Sequence, residues 1–174
     1  AVCENGNYYN RFYFVHPDGA VQHYDKKHLF TFGGEHKRFT AGTERVVVNF
    51  RGVRILLEVC YDLRFPVWSR NLGDYDMILY VASWPTPRVD AWSALLRARA
   101  IENQCYVAGV NRMGVDPACE YSGGSAIIDP YGKTIAECPW SRESAVSADI
   151  DMEALQAFRK KFPVLDDADP FTLI

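Results

Sequence analysis

The chain has 174 residues, of which 48% are hydrophobic and 14% aromatic; 24% are charged, the formal net charge is -3 and the isoelectric point is near 5.8. This length supports one domain with a sizeable core, and the composition is that of a globular protein, not of a disordered or fibrous one. A slightly acidic chain with no Lys/Arg stripe interleaved with aromatics argues against nucleic acid as a partner.

The cysteines, Cys3, Cys60, Cys105, Cys119 and Cys138, are odd in number and include no C-x-x-C pair. Neither a disulfide framework nor a zinc site is indicated, which points to a reducing cytoplasm and to no metal. Apolar runs such as ILYVA at 78–82 are too short to cross a bilayer, and the N-terminus lacks the regions of a signal peptide, so no membrane partner is expected. The first residue is Ala1 and not Met, and AVCE leads within a few residues into a strand-like YYNRFYFV, as expected of a chain that starts inside a longer protein.

In chain order, YYNRFYFV (8–15), the turn HPDG (16–19) and AVQHYD (20–25) predict a hairpin. Residues 31–44 read as loop. RVVVNF (45–50) and VRILLEVC (53–60) predict two strands joined at Arg51-Gly52, the second with the continuous apolar run of a strand covered on both faces. DMILYVAS (76–83) and CYVAGVNR (105–112) read the same way. Between them Thr86 is a candidate cap and Pro87 a first helical residue, while Val89, Trp92, Leu96 and Ala100 keep a 3-4-4 spacing that predicts a helix. SAIID (125–129), the turn DPYG (129–132), KTIAEC (133–138) and SAVSADI (144–150) predict antiparallel strands, with YSGGS at 121–125 as a flexible loop before them. A final helix over 151–162 has acids in its first turn and bases in its last, and the tail VLDDADPFTLI reads as an arm that packs on a partner subunit. The whole predicts a single α/β domain, 1–174, with a mixed sheet.

Cys60 closes the apolar run ILLEVC, at the carboxyl end of a central strand, where α/β sheets place their ligand crevices. A lone cysteine is most often a small core residue, and that is the reading for Cys3, Cys105, Cys119 and Cys138. A nucleophilic thiol needs a nearby cation or base, and YDKKHLF (24–30) offers Lys26 and Lys27 beside an apolar pair that must pack.

YDKKHLF, GGEHKRFTAG (33–42), EVCYDLRFPVWSRN (58–71), ASWP (82–85) and LLRARAIENQCYVAGVNR (95–112) resemble, in order along the chain, the carbon-nitrogen hydrolase or nitrilase superfamily, and in wording its omega-amidase branch. The resemblance implies an αββα sandwich and hydrolysis of the side-chain carboxamide of small alpha-keto dicarboxylic acid monoamides through a cysteine thioester, with release of ammonia and with no cofactor. It implies Cys60 as nucleophile, Lys26 as the catalytic lysine and Glu35 as the glutamate that orients lysine and substrate. It implies a small-molecule amide substrate and a homodimer. The Tyr61 backbone N–H joins Lys26 as a candidate oxyanion donor. Arg64 is a candidate for the substrate carboxylate or for an ion pair with Asp62 or Glu58, and Trp84 for the pocket wall or the core. Glu58 is expected on the Cys60 side of its strand, either as a partner of Lys26 or Arg64 or in a structural salt bridge. The family's general-base glutamate lies upstream of the lysine motif; it is not assigned to Glu4, and the chain is expected to correspond to the C-terminal two-thirds of such an enzyme. Other readings are a nitrilase or N-carbamoyl amidohydrolase, a papain-like pairing of Cys60 with His28 or His36, and a non-catalytic interaction domain.

Overall fold

The computed structural model describes residues 1–172. Its strands are β1 (Val2–Glu4), β2 (Asn7–Tyr9), β3 (Arg11–Val15), β4 (Val21–Asp25), β5 (Val47–Phe50), β6 (Val53–Val59), β7 (Met77–Ala82), β8 (Tyr106–Asn111), β9 (Met113–Val115), β10 (Glu120–Ser122), β11 (Ala126–Ile128) and β12 (Thr134–Glu137). Its helices are α1 (Pro66–Ser69), α2 (Val89–Glu102) and α3 (Met152–Lys161).

Six strands form one mixed sheet in the order β12-β11-β8-β7-β6-β5. The central three, β6, β7 and β8, are parallel, with Val59 opposite Val81 and Ala82 opposite Asn111. That register brings their carboxyl ends to one edge, and Cys60, Ser83 and Arg112 follow directly. The strands were recognisable because parallel strands are covered on both faces, and Ile55, Leu56, Leu57 and Glu58 of β6 are all buried.

On one face lies α2, whose Trp92, Leu96 and Ala100 pack on Leu56, Ile78, Tyr80 and Val107. Close approach depends on Gly109 of β8, where an added Cβ would stand 2.7 Å from side-chain atoms of both Leu96 and Trp92. On the other face Leu57, Met77 and Tyr106 meet Tyr24, Phe12 and Phe14 of the β3–β4 hairpin, and Leu155 of α3. Thus a second, two-stranded sheet is stacked on the first, with helices on the faces. Asp151 caps α3 by accepting from the Ala154 amide at 2.8 Å, and Arg159 fastens that helix to Asp76 Oδ1 at 2.8 Å and to the Tyr75 and Gln104 carbonyls.

Several expectations are corrected. Residues 2–9 form the β1–β2 hairpin, turning at Asn5 (φ 51) and Gly6 (φ 78), and Glu4 ends a strand instead of preceding one; its carboxylate pairs with Arg11 at 2.8 Å. The 31–44 segment contains two 3-10 turns, Thr31–Gly33 and Glu35–Lys37, hinged at the left-handed Gly34. Thr86 does not cap α2: the two prolines around it wind Thr86–Arg88 into a 3-10 turn, α2 starts at Val89, and the Thr86 hydroxyl has no partner among the described residues. Of the expected flexible loop 121–125, Tyr121 and Ser122 instead belong to β10, which pairs with β9 as a hairpin. SAVSADI is not a strand; its residues are mostly exposed and no neighbouring strand offers a ladder. Of the tail, Val164–Asp167 is a 3-10 turn, and the end of the expected arm, Leu173 and Ile174, lies outside the described residues.

Candidate active site

Cys60 leaves β6 in a left-handed conformation, φ 50, and opens the 3-10 turn Cys60–Arg64. For a side chain with a Cβ this is an uncommon conformation. It reverses the chain sharply at the strand end, yet Cys60 still packs against the α2-side core that includes Leu56 and Tyr80, the face toward which Glu58 also turns, as the alternation along the strand leads one to expect. The Tyr61 amide stands at the start of the turn, and the first amides of a helical turn have no carbonyl partner within it.

Asp62 holds this elbow in place. It is fully buried and accepts four hydrogen bonds: from the Val59 amide (3.1 Å), Tyr24 Oη (2.8 Å), the His28 amide (2.9 Å) and His28 Nδ1 (2.8 Å). One carboxylate thereby ties the strand end bearing Cys60 to the segment bearing Lys26. Sequence reasoning considered Asp62 only as a partner of Arg64; its role depends on contacts across 34 and 38 residues.

Lys26 is 2% exposed, and its ammonium donates to both oxygens of Glu35, at 3.0 and 2.7 Å. Glu35 also accepts from the Phe30 amide at 2.8 Å, which fixes the carboxylate across the turn. Lys27 instead lies over the Trp68 ring, 5.2 Å from its centroid.

Cys60, Lys26, Glu35, Tyr61, Arg64 and Trp84 all line one cavity of about 550 Å³. Burial pushes the Cys60 thiol up; the Lys26 charge and the Ser83 carbonyl, which accepts from Sγ at 3.8 Å, pull the other way, and Glu35 and Asp62 add to the rise. The expected preference of Lys26 for the thiolate is present in sign, but burial outweighs it, so the thiol needs a proton acceptor to react near neutral pH.

The remaining candidates sort as follows. Arg64 forms no ion pair with Asp62 or Glu58; it is exposed and its guanidinium lies 5.0 Å from the centre of the Trp84 ring. Trp84 is both wall and core: 3% exposed, it packs on Trp92 and donates from Nε1 to the Arg88 carbonyl at 2.7 Å. Glu58 pairs with neither Lys26 nor Arg64. It accepts from Ser69 Oγ at 2.9 Å, and burial beside Asp62 pushes its carboxyl up to about 8. Neither His28, stacked on Phe65 at 3.8 Å, nor the exposed His36 hydrogen-bonds to Cys60. Arg88, which the sequence did not single out, also lines the cavity. Among the described residues no group of three or more His, Cys, Asp or Glu side chains is gathered as for a metal ion, and no helix is long and apolar enough to cross a membrane.

The carbon-nitrogen hydrolase family model matches residues 1–160. The chain is 55% identical over 165 residues to omega-amidase YafV of Escherichia coli (strain K12), covering 94% of this chain and 64% of that protein. It is 41% identical over 170 residues to 2-oxoglutaramate amidase of Bacillus subtilis (strain 168), covering 96% and 65%. A crystal structure of XC1258 from Xanthomonas campestris, a CN-hydrolase superfamily protein with an arsenic adduct in its active site, superposes with a TM-score of 0.94 at 47% identity, covering 98% of this chain and 67% of that one. The chain thus spans somewhat less than two-thirds of the length of these curated relatives. With the ordered motifs, the stacked sheets and the matching relatives in agreement, this chain belongs to the carbon-nitrogen hydrolase family and has its nitrilase-type α/β fold.

Proposed function

We propose that this protein is an omega-amidase-like amidohydrolase, cleaving the side-chain carboxamide of small alpha-keto dicarboxylic acid monoamides. The observation that carries the reading is the convergence of Cys60, on its strained elbow, with the Lys26–Glu35 pair in one cavity. The names of the relatives from Escherichia coli and Bacillus subtilis point to the same substrate class.

In this mechanism Cys60 Sγ, relieved of its proton, bonds to the amide carbon, and the carbonyl oxygen becomes an oxyanion facing the Tyr61 N–H and the Lys26 ammonium. Collapse breaks the C–N bond; the nitrogen takes a proton and leaves as ammonia, giving a thioester. Water then adds to the thioester, a second oxyanion forms at the same donors, and the acid is released with the thiol restored. Glu35 holds the Lys26 ammonium in place through both carboxylate oxygens. The general base of the family is not assigned to any residue of this chain, and such a base is worth a factor of roughly a hundred to ten thousand in rate. Arg64, stacked on Trp84 with no carboxylate partner among the described residues, takes the substrate's carboxylate by its guanidinium fork. The five unbridged cysteines fit a cytoplasmic setting, and a homodimer is part of the proposal.

The test is ammonia release from 2-oxoglutaramate and succinamate. Cys60→Ala is expected to abolish it; full activity in that variant refutes the assignment. Equimolar carbon dioxide and ammonia from an N-carbamoyl substrate, with no release from the ω-amides, would instead favour the N-carbamoyl branch. A second reading, a non-catalytic interaction domain, draws on the burial that keeps the Cys60 thiol protonated; a wild-type chain that releases no ammonia from either amide would favour it.

A further inference from the structure

The cavity around Cys60 is lined by four cationic side chains: Arg11, Lys26, Arg64 and Arg88. Two are answered from within the protein. Arg11 donates to both oxygens of Asp25 (2.7 and 2.8 Å) and to Glu4 (2.8 Å), and Lys26 donates to Glu35. The other two are not: among the described residues neither Arg64 nor Arg88 has a carboxylate or any other side-chain hydrogen-bond acceptor. Each is instead laid against an aromatic ring, Arg64 at 5.0 Å from the Trp84 centroid and Arg88 at 5.4 Å from that of Phe30. Stacking engages the face of a guanidinium and leaves its in-plane N–H donors available.

These platforms belong to the site's own framework. Trp84, under Arg64, donates its indole N–H to the Arg88 carbonyl; Phe30, under Arg88, donates its amide to the carboxylate of Glu35 that holds Lys26. Arg88 is therefore held from both sides, its backbone by one platform and its side chain against the other. A single unpaired cation answers a single carboxylate. Two of them, positioned in one cavity by rigid aromatics, ask for a ligand with a second acceptor close to its carboxylate, and a 2-oxo acid presents such an oxygen on the neighbouring carbon.

We propose that Arg88 is a specificity-determining residue that hydrogen-bonds the 2-oxo oxygen of the substrate while Arg64 takes the adjacent carboxylate. The proposal rests on the amidase reading above and adds to it the means by which a 2-oxo acid amide is told from the simple amide of the same length.

Isothermal titration of the 174-residue chain with 2-oxoglutarate and with glutarate tests it. These diacids differ only in the 2-oxo group and are not consumed. The wild type is expected to bind 2-oxoglutarate roughly ten- to a hundredfold more tightly, the usual worth of a hydrogen bond to a charged group. Arg88→Gln should bring that ratio to within about twofold by weakening 2-oxoglutarate while glutarate binding stays unchanged, and Arg88→Lys, a shorter reach with a differently placed donor, should recover at most part of the ratio. Arg64→Gln should weaken both ligands together. Thermal melting of each variant checks that the fold is retained. A tenfold ratio that persists in Arg88→Gln overturns the proposal, as does a wild type that binds the two diacids equally well. A wild type that binds neither at several millimolar removes the amidase reading itself and the proposal with it.

Discussion

Replacing Glu58 by Gln should remove most of the loss of stability that the wild type suffers between pH 5 and pH 8. Glu58 lies on β6 two residues before Cys60, fully buried, with Ser69 donating to Oε2 and no partner for Oε1 among the described residues. Burial, reinforced by the charge of Asp62, pushes its carboxyl up to about 8, against the opposing hydrogen bonds of Tyr80 and Ser69 and the charge of Arg99. In the unfolded chain a glutamate loses its proton near pH ~4.3. Between these two values the native state keeps a proton that the unfolded chain has released, so stability falls as pH rises through the window and levels off above the folded value. At about 1.4 kcal/mol per pH unit, the fall from pH 5 to pH 8 is on the order of 3 kcal/mol, or roughly 6–12 °C in Tm for a domain of this size. Glutamine keeps the Ser69 hydrogen bond and cannot ionise, so it lacks this fall. The comparison is the difference in Tm between variant and wild type, followed by circular dichroism at both pH values. An amide left without a partner lowers the variant equally at both, so only the change with pH is diagnostic. An identical difference at pH 5 and pH 8 would refute the reasoning and would mean that Glu58 is ionised in the native state.

Lys26→Met removes the charge that lowers the Cys60 thiol pKa, so alkylation of Cys60 by iodoacetamide at pH 8 should slow by roughly three- to tenfold; an unchanged rate in peptide mass spectrometry would show that the ammonium does not act on the sulfur. Glu35→Ala leaves the ammonium of Lys26, 2% exposed, without its partner, and should cost about 2–4 kcal/mol in urea unfolding, less than for a wholly enclosed pair because Glu35 is itself 24% exposed; a loss below about 1 kcal/mol contradicts the pairing. Gly109→Ala drives a methyl to 2.7 Å from Leu96 and Trp92 and should destabilise by about 1–3 kcal/mol, seen as a lower Tm, and an unaltered Tm would mean that α2 stands further from the sheet than described.

What could be read in the sequence was what neighbours along the chain decide. The central strands announced themselves by continuous apolar runs, α2 by its 3-4-4 spacing and the elbow by an abrupt change at Cys60. The Lys26–Glu35 pair was accessible through the resemblance of two short motifs. What was not legible depends on distant partners. Asp62 gathers donors from Tyr24 and His28, and nothing local marks it as their common acceptor. Arg88 follows Pro87 in an ordinary turn, and only the fold brings it to Phe30. SAVSADI has strand-forming residues yet stays irregular, because a strand exists only where another chain segment completes its ladder. The three-residue strands β9 and β10 are too short to show a period at all.

The backbone at Cys60 also limits what evolution can put there. At φ 50 a side chain with a Cβ is strained by about 1–2 kcal/mol, and a branched Cβ by more, so valine or threonine would be expelled from the turn. Glycine would sit there without penalty and would leave the protein more robust, but inert. Of the small uncharged side chains without a branch at Cβ that remain, only cysteine and serine carry a nucleophile. The amino acid that this position holds is therefore not the one its geometry prefers, and drift toward a more comfortable residue is held off only by the chemistry of the sulfur.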